Sequence, residues 1–116
     1  MTTEAVITAD AFRDSAKSLL KDLGGPARVR ALREASPGFD RSSWRAFADA
    51  GWTSILVSEA DGGLGLGLRE LLAIVEEIGH RLLPEPFVAA GVHSIALLSA
   101  LPRSALRDEL LADAMA

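Results

Sequence analysis

Gly51-Trp52-Thr53-Ser54-Ile55-Leu56-Val57-Ser58-Glu59-Ala60-Asp61-Gly62-Gly63-Leu64-Gly65-Leu66-Gly67 is the non-helical span of a chain that otherwise reads as helix. Gly51 has the position of a left-handed C-cap, which places Trp52 to pack back on Phe47. Ile55-Leu56-Val57 is too short to separate a strand from an extended buried segment, and no second strand-like run exists to pair with it. It reads as an extended connection with no sheet. In the glycine-dense turn, Gly63-Leu64-Gly65 has Leu68 where a dinucleotide fingerprint needs its third glycine. No Gly-Lys-Ser/Thr follows for a phosphate loop. The glycines are therefore expected to supply positive φ angles and a close approach of backbone to backbone.

Downstream, Leu68, Leu71, Leu72, Val75, Ile78, Gly79 and Leu82 predict the most regular amphipathic helix, ended by Pro84. Arg69, Glu70, Glu76, Glu77 and Arg81 lie off that face. Glu77 and His80 have the Glu-x-x-His spacing of carboxylate-bridged metal sites, but such sites need a second copy and two further glutamates. The expectation is no metal, with Glu76–His80 and Glu77–Arg81 as surface pairs at helical spacing. Pro84-Glu85-Pro86 is a stiff connector into a fifth helix carrying Phe87, Ala90, Gly91, Ser94, Ile95, Leu97, Leu98 and Leu101. Ala89, Ala90 and Gly91 leave room along one side of it for another helix or an apolar ligand. After Pro102 a sixth helix is expected to turn Leu106, Leu110 and Leu111 inward and Arg107, Asp108 and Glu109 outward.

Upstream, Asp40 is the N-cap of a third helix, with Phe39 placed to staple against Trp44. Both tryptophans read as packing anchors rather than cofactor-stacking groups, since each has a partner at a helix end. Phe12, Ala16, Leu19, Leu20 and Leu23 mark a first helix that starts at Thr8 or Asp10 and stops at Gly24-Gly25. Pro26 opens a short second helix with Val29 and Leu32 inward. Its Arg28, Arg30 and Arg33 read as a solvated face rather than an anion site. The fold class is thus all-α, with about six helices in an orthogonal up-and-down bundle and one extended Gly-rich connection.

Composition limits function. At 116 residues the chain is expected to be one domain, 1–116. A net charge of −4 with interleaved signs gives no basic stripe, so no nucleic acid is expected. The absence of cysteine removes disulfides and thiol chemistry and fits a cytoplasmic location. Met1 to Asp10, with only a short apolar run at Ala5–Ile7, is neither a signal nor a transit peptide. The uncharged stretch from Phe87 to Leu101 is too short for a membrane span. Apolar residues make up 49% of the chain, high for a domain this small, so part of its surface is expected to be covered by something else. No catalytic set emerges: there is no nucleophile elbow, metal set or cofactor loop.

The run Gly51-Trp52-x-x-Ile-Leu-Val-x-Glu-x-x-Gly-Gly-Leu-Gly-Leu-Gly, with Glu76-Glu77-Ile78-Gly79 and Leu83-Pro84-Glu85-Pro86-Phe87, resembles the N-terminal helical domain of acyl-CoA dehydrogenases. The match covers essentially the whole chain and also fits the order of the helices. It departs at Ser58, where the family usually has proline. Members are several times longer, and their β-domain and second helical domain, which hold most flavin contacts and the catalytic glutamate, are absent from these residues. The resemblance implies an FAD-dependent oxidoreductase that desaturates acyl-CoA thioesters at the α,β-bond. In it this chain would have no catalytic or cofactor-binding residue of its own but would form one wall of the acyl-chain pocket. By position that wall is Pro86, Phe87, Ala90 and Ser94, with Val88 and Gly91 next; packing on neighbouring helices is the competing role for each. The implied partners are the remaining domains or subunits of a dehydrogenase and the acyl-CoA substrate, in an oligomeric enzyme. The alternative is a non-catalytic helical interaction module or partner subunit derived from that family.

Overall fold

The computed structural model describes residues 3–116, with side chains from Thr8 onward; Met1, Thr2 and the side chains of the Ala5–Ile7 run lie outside the described residues. Among the described residues there are six helices: α1 (Thr3–Leu20), α2 (Pro26–Arg33), α3 (Arg41–Asp49), α4 (Leu68–His80), α5 and α6 (Ala105–Met115). Helix α5 is continuous but changes pitch, being π-helical over Phe87–Ser94 and α-helical over Ile95–Ala100. No strand occurs among the described residues. Principal extents of 42 × 38 × 18 Å make the domain a slab. Its thin dimension is less than two helices of about 10–12 Å laid one on another. Among the described residues no helix is long and apolar enough to cross a membrane.

Helix α1 packs along α4, α5 runs against α6, and α3 leads into the central connection. The larger core joins Ala16 and Leu20 of α1 to Leu71, Ile74 and Ile78 of α4, with Phe47, Trp52, Ile55 and Phe87. A smaller one joins Val57, Ile95 and Leu111. The expected caps of α3 are present. Asp40 accepts from the Ser42 N–H at 3.2 Å, and the Phe39 and Trp44 rings lie 6.4 Å apart. Gly51 has φ 84°, and Trp52 stacks on Phe47 at 4.9 Å and 22°. Phe87 meets both rings edge-on, at 6.5 and 6.3 Å.

The connection from Gly51 to Gly67 is not extended at its apolar run. It makes two 3₁₀ turns, Trp52–Ser54 and Glu59–Asp61, and Ile55 itself has helical angles, φ −55° and ψ −51°. Successive turns satisfy the backbone locally, where an extended run would have needed a second strand. Ser54 N–H donates to the Gly51 carbonyl at 3.1 Å and Val57 N–H to that of Ser54 at 3.2 Å. The glycine turn then folds back on this segment. Leu64, Leu66 and Gly65 N–H groups donate to the carbonyls of Ser54, Ile55 and Val57 at 2.9, 2.8 and 2.8 Å.

Other expectations are corrected by long-range partners. Helix α1 starts earlier than Thr8 and ends at Leu20, not at Gly24-Gly25. Gly25 instead precedes α2 and donates its N–H to the Arg81 carbonyl at 2.9 Å, tying the loop to the end of α4. Helix α4 buries Leu71, Ala73, Ile74 and Ile78, whereas Leu68 and Leu72 are exposed. Its buried face also takes in two glutamates. Glu70 turns back to accept the Gly67 N–H at 3.1 Å, and Glu77 lies beneath Arg13 of α1. Arg13 bonds Glu76 at 2.6 Å, replacing the anticipated pairs within α4. The helix stops at His80 through Leu82, which adopts φ 54°. Leu82 and Leu83 N–H groups donate to the carbonyls of Gly79 and Ile78, so leucine fills the place of a Schellman glycine. In α6, Leu111 is buried, but Leu106 and Leu110 are exposed and Arg107 is buried.

Arg107 explains that inversion. Its Nη1 and Nη2 bond the Asp61 carboxylate at 2.8 and 3.0 Å, and Nε and Nη2 donate to the carbonyls of Leu98 and Ser99, both at 2.9 Å. Nη1 also reaches Asp108 at 2.9 Å. One planar guanidinium therefore joins the central connection, the end of α5 and the start of α6. The pair holds the Asp61 carboxyl below its usual range and the guanidinium above its own.

Candidate functional site

The start of α5 is set by a buried ion pair between loop and helix. Glu85 is not simply part of a stiff connector: its side chain is fully buried and receives Arg28 Nη1 and Nη2 at 2.8 and 3.0 Å. Arg28 Nη2 also donates to Ser43 Oγ at 3.3 Å, and the Asp40 N–H donates to Glu85 at 3.2 Å. Arg28 thus leaves the solvated face read for it and fastens α2 to the beginnings of α3 and α5. Side-chain hydrogen bonds from Ser42 and then Ser43 keep the Asp40 carboxyl below its usual range. The Phe87 N–H donates to the Glu85 carbonyl at 2.8 Å across Pro86, a tight turn that accompanies the inward carboxylate as Phe87 enters the aromatic cluster.

Beyond that clamp, α5 and α3 diverge around an open cavity of about 700 Å³. Pro86, Ala90 and Ser94 form one wall, Phe39 and Trp44 another, and Arg41 and Arg45 stand on the α3 side. Ser42 of α3, Asp113 and Ala114 of α6, and Ala116 complete it. The π-helical pitch decides which residues of α5 reach this space. Bonding from i to i+5 widens the turn beyond four residues, so positions four apart stay in register. Residues seven apart, which share a face over two α-turns, separate. Phe87 accordingly points away from Ala90 and Ser94, is 1% exposed, and packs on Phe47, Trp52 and Trp44. Ser94 Oγ donates to the Ala89 carbonyl five residues back, at 3.2 Å.

Val88 is exposed, and Gly91 faces the other way, onto a smaller cavity of about 310 Å³ shared with Val92, Ile95 and Leu56. A Cβ on Gly91 would come within 3.0 Å of the Phe87 ring and 3.3 Å of Trp44. The small residue thus lets α5 lie close to the aromatic cluster. Sequence reasoning passed over Trp44, Arg41 and Arg45 as lining groups, although their shared face on α3 follows from spacings of three and four.

A flavin does not fit the residues present. The one glycine-rich turn has its amides committed: Gly63 donates to the Ser58 carbonyl at 2.9 Å, and Leu64, Gly65 and Leu66 bond the preceding segment. Gly63 also faces Val57, whose carbonyl oxygen would lie 2.2 Å from an added Cβ, so the turn is filled by protein rather than open to a phosphate. Among the described residues no group of three acidic, histidine or cysteine side chains is placed to hold a metal.

Fold and cavity together define an all-helical module presenting a partly apolar wall. The chain belongs to the acyl-CoA dehydrogenase family: residues 8–115 match the family model described as acyl-CoA dehydrogenase, N-terminal domain. It is 34% identical over 90 residues to acyl-CoA dehydrogenase IpdE2 of Mycobacterium tuberculosis, covering 77% of this chain and 28% of that protein. Acyl-CoA dehydrogenase FadE27 of the same organism is 34% identical over 83 residues, covering 62% and 22%. Among solved structures, the ChsE4-ChsE5 complex from Mycobacterium tuberculosis superposes with a TM-score of 0.79 at 28% identity, covering 99% of this chain and 31% of that one. A variant of the Tcur3481-Tcur3483 steroid ACAD gives 0.79 at 29% identity, covering 96% and 30%. The chain spans under a third of the length of the curated relatives it matches.

Proposed function

We propose that this domain shapes the acyl-chain pocket of an FAD-dependent acyl-CoA dehydrogenase, with Pro86, Ala90 and Ser94 as the wall and Phe87 as its rigid backing. The observation that carries the reading is the cavity itself: Pro86 at the N-cap of α5 and Ala90 and Ser94 within it, at intervals of four, face an open space of about 700 Å³ bounded by Trp44. Pockets for apolar ligands are of this size and combine apolar walls with few polar groups. Desaturation of an acyl-CoA thioester removes an α-proton and a β-hydride, and no side chain of this cavity is a hydride acceptor. The role of the chain is to orient the acyl body and exclude water from it. FAD, the catalytic base and the rest of the pocket belong, in this reading, to further domains or subunits of an oligomeric cytoplasmic enzyme.

The test is Ala90→Trp in the domain assembled with the remaining parts of a dehydrogenase. Turnover of long acyl-CoA substrates should fall at least about tenfold, because filling a pocket by several methylenes costs 1–3 kcal/mol or more, while short acyl chains are spared. Equal loss across chain lengths would remove the acyl wall. Unchanged turnover whether or not the domain is added would point instead to a non-catalytic interaction module.

A further inference from the structure

Arg41 and Arg45 distinguish this cavity from a plain hydrocarbon slot. They stand one turn apart on the exposed side of α3, where residues i and i+4 are neighbours. Both line the cavity with Phe39 and Trp44. Arg13, Arg28, Arg33, Arg103 and Arg107 are each in an ion pair, but neither Arg41 nor Arg45 is, among the described residues. Arg41 lies over the Phe39 ring at 6.0 Å, a contact that holds its stem without consuming its hydrogen-bond donors. The two lining hydroxyls are committed. Ser42 Oγ donates to Asp40 at 2.8 Å and Ser94 Oγ to the Ala89 carbonyl. Asp113, from α6, makes no ion pair with either arginine. The cavity therefore offers an apolar surface beside two guanidiniums whose donors are unused.

We infer that the site selects acyl groups carrying a carboxylate remote from the thioester, with Arg41 and Arg45 as the specificity-determining pair. This rests on the acyl-wall reading and adds the substrate class to it. A guanidinium fork matches a carboxylate in two parallel bonds, and a second one a turn away holds the same group against exchange with water. A nucleoside diphosphate would present more charge than two arginines balance. The favoured ligand thus has one anionic end and a hydrocarbon or ring body.

Trp44 lines the cavity and reports on it. Its fluorescence in the full chain would be titrated with monomethyl sebacate, whose ester end stands for the thioester and whose far end is a carboxylate. Dimethyl sebacate serves as the neutral isostere and ADP as the phosphate probe. The monoester should quench Trp44 with an affinity about tenfold above the diester, as one charge-assisted contact implies. Arg41→Gln with Arg45→Gln should bring the two to within about twofold and leave diester binding intact. Both arginines are exposed, so an unchanged circular dichroism spectrum is expected, and Trp44→Phe should abolish the signal. Equal affinities in the parent, or a preference that survives in the double variant, overturn the assignment and leave the acyl wall standing. If ADP displaces the monoester, the arginines bind phosphate and the carboxylate assignment falls. If neither ester quenches Trp44, the acyl wall fails as well.

Discussion

Replacing Gly63 by alanine should disrupt this domain far more than the same change one residue earlier. Gly62 has φ 87° and nothing within 4 Å of where a Cβ would stand. Gly62→Ala therefore costs only the left-handed backbone of an L-residue, about 1 kcal/mol. At Gly63 the added Cβ would lie 2.2 Å from the Val57 carbonyl oxygen and 2.4 Å from its Cβ. Nonbonded atoms settle at about 3.5–4.0 Å, so the two segments must part by more than an ångström. Parting them breaks the Gly65–Val57 and Gly63–Ser58 bonds, of 2.8 and 2.9 Å, at roughly 1 kcal/mol each. It also opens Val57, which is fully buried, and losing that burial costs about 1.5 kcal/mol or more. The sum is about 3–4 kcal/mol, a large share of the roughly 5–15 kcal/mol that stabilises a small domain. In thermal unfolding followed by far-ultraviolet circular dichroism, a domain this size shifts about 4 °C per kcal/mol. Gly62→Ala should lower Tm by about 4 °C and Gly63→Ala by about 12 °C or more. If Gly63→Ala were no more destabilising than Gly62→Ala, the close approach would not be what fixes the central connection.

Other sites give predictions of different sign. Arg28→Met should destabilise by about 3 kcal/mol in urea titrations by leaving Glu85 buried and unpaired, and adding Glu85→Leu should recover part of the loss. Leu82→Gly should raise stability by about 0.5–1 kcal/mol in the same titration, since it relieves φ 54° without removing a buried side chain. Asp61, Asp108 and Asp40 all have carboxyls held below the usual range, the first two chiefly by Arg107 and the last by Ser42. A depressed folded-state value contributes stability above the unfolded pKa near 4, lost as pH falls through the lower folded values. Melting should therefore weaken below about pH 4, and Asp61→Asn should flatten that slope; an unaltered slope would exclude the Arg107 cluster as its source.

What was legible in the sequence followed from how local each signal is. Asp40, Phe39, Gly51 and Trp52 were readable because a cap and its partner lie within five residues. The face of α4 was not: Leu68, Leu71, Leu72 and Ile78 share one stripe of roughly 120°, but the buried face lies beside it, on Ala73 and Ile74 with Leu71 and Ile78 at its edge, where Glu70 and Glu77 disguise it. The choice was made by α1, far away in sequence, and it left Leu68 and Leu72 exposed on a slab too thin to cover them. Arg28 and Arg107 were read outward for the same reason: a charge is expected in water unless its partner is known, and theirs lie 57 and 46 residues away. At the cavity, the residues of α5 came from family resemblance. The pitch that turns Phe87 away from them carries no sequence signature, since alanine and glycine allow several helical forms.

That pitch has a consequence for how the cavity can vary. A π-helical turn amounts to an α-helix with an extra residue accommodated in its wall. Removing one residue from Ala89-Ala90-Gly91 would let the segment relax towards ordinary pitch while the helix beyond it stays nearly in register, with Ile95–Ala100 still against α6. The change would be confined to the first two turns of α5, which would narrow beside the cavity. Chain length here acts as a dial separate from side-chain chemistry, and a single-codon deletion would reshape the α5 wall without re-aiming the rest of the helix.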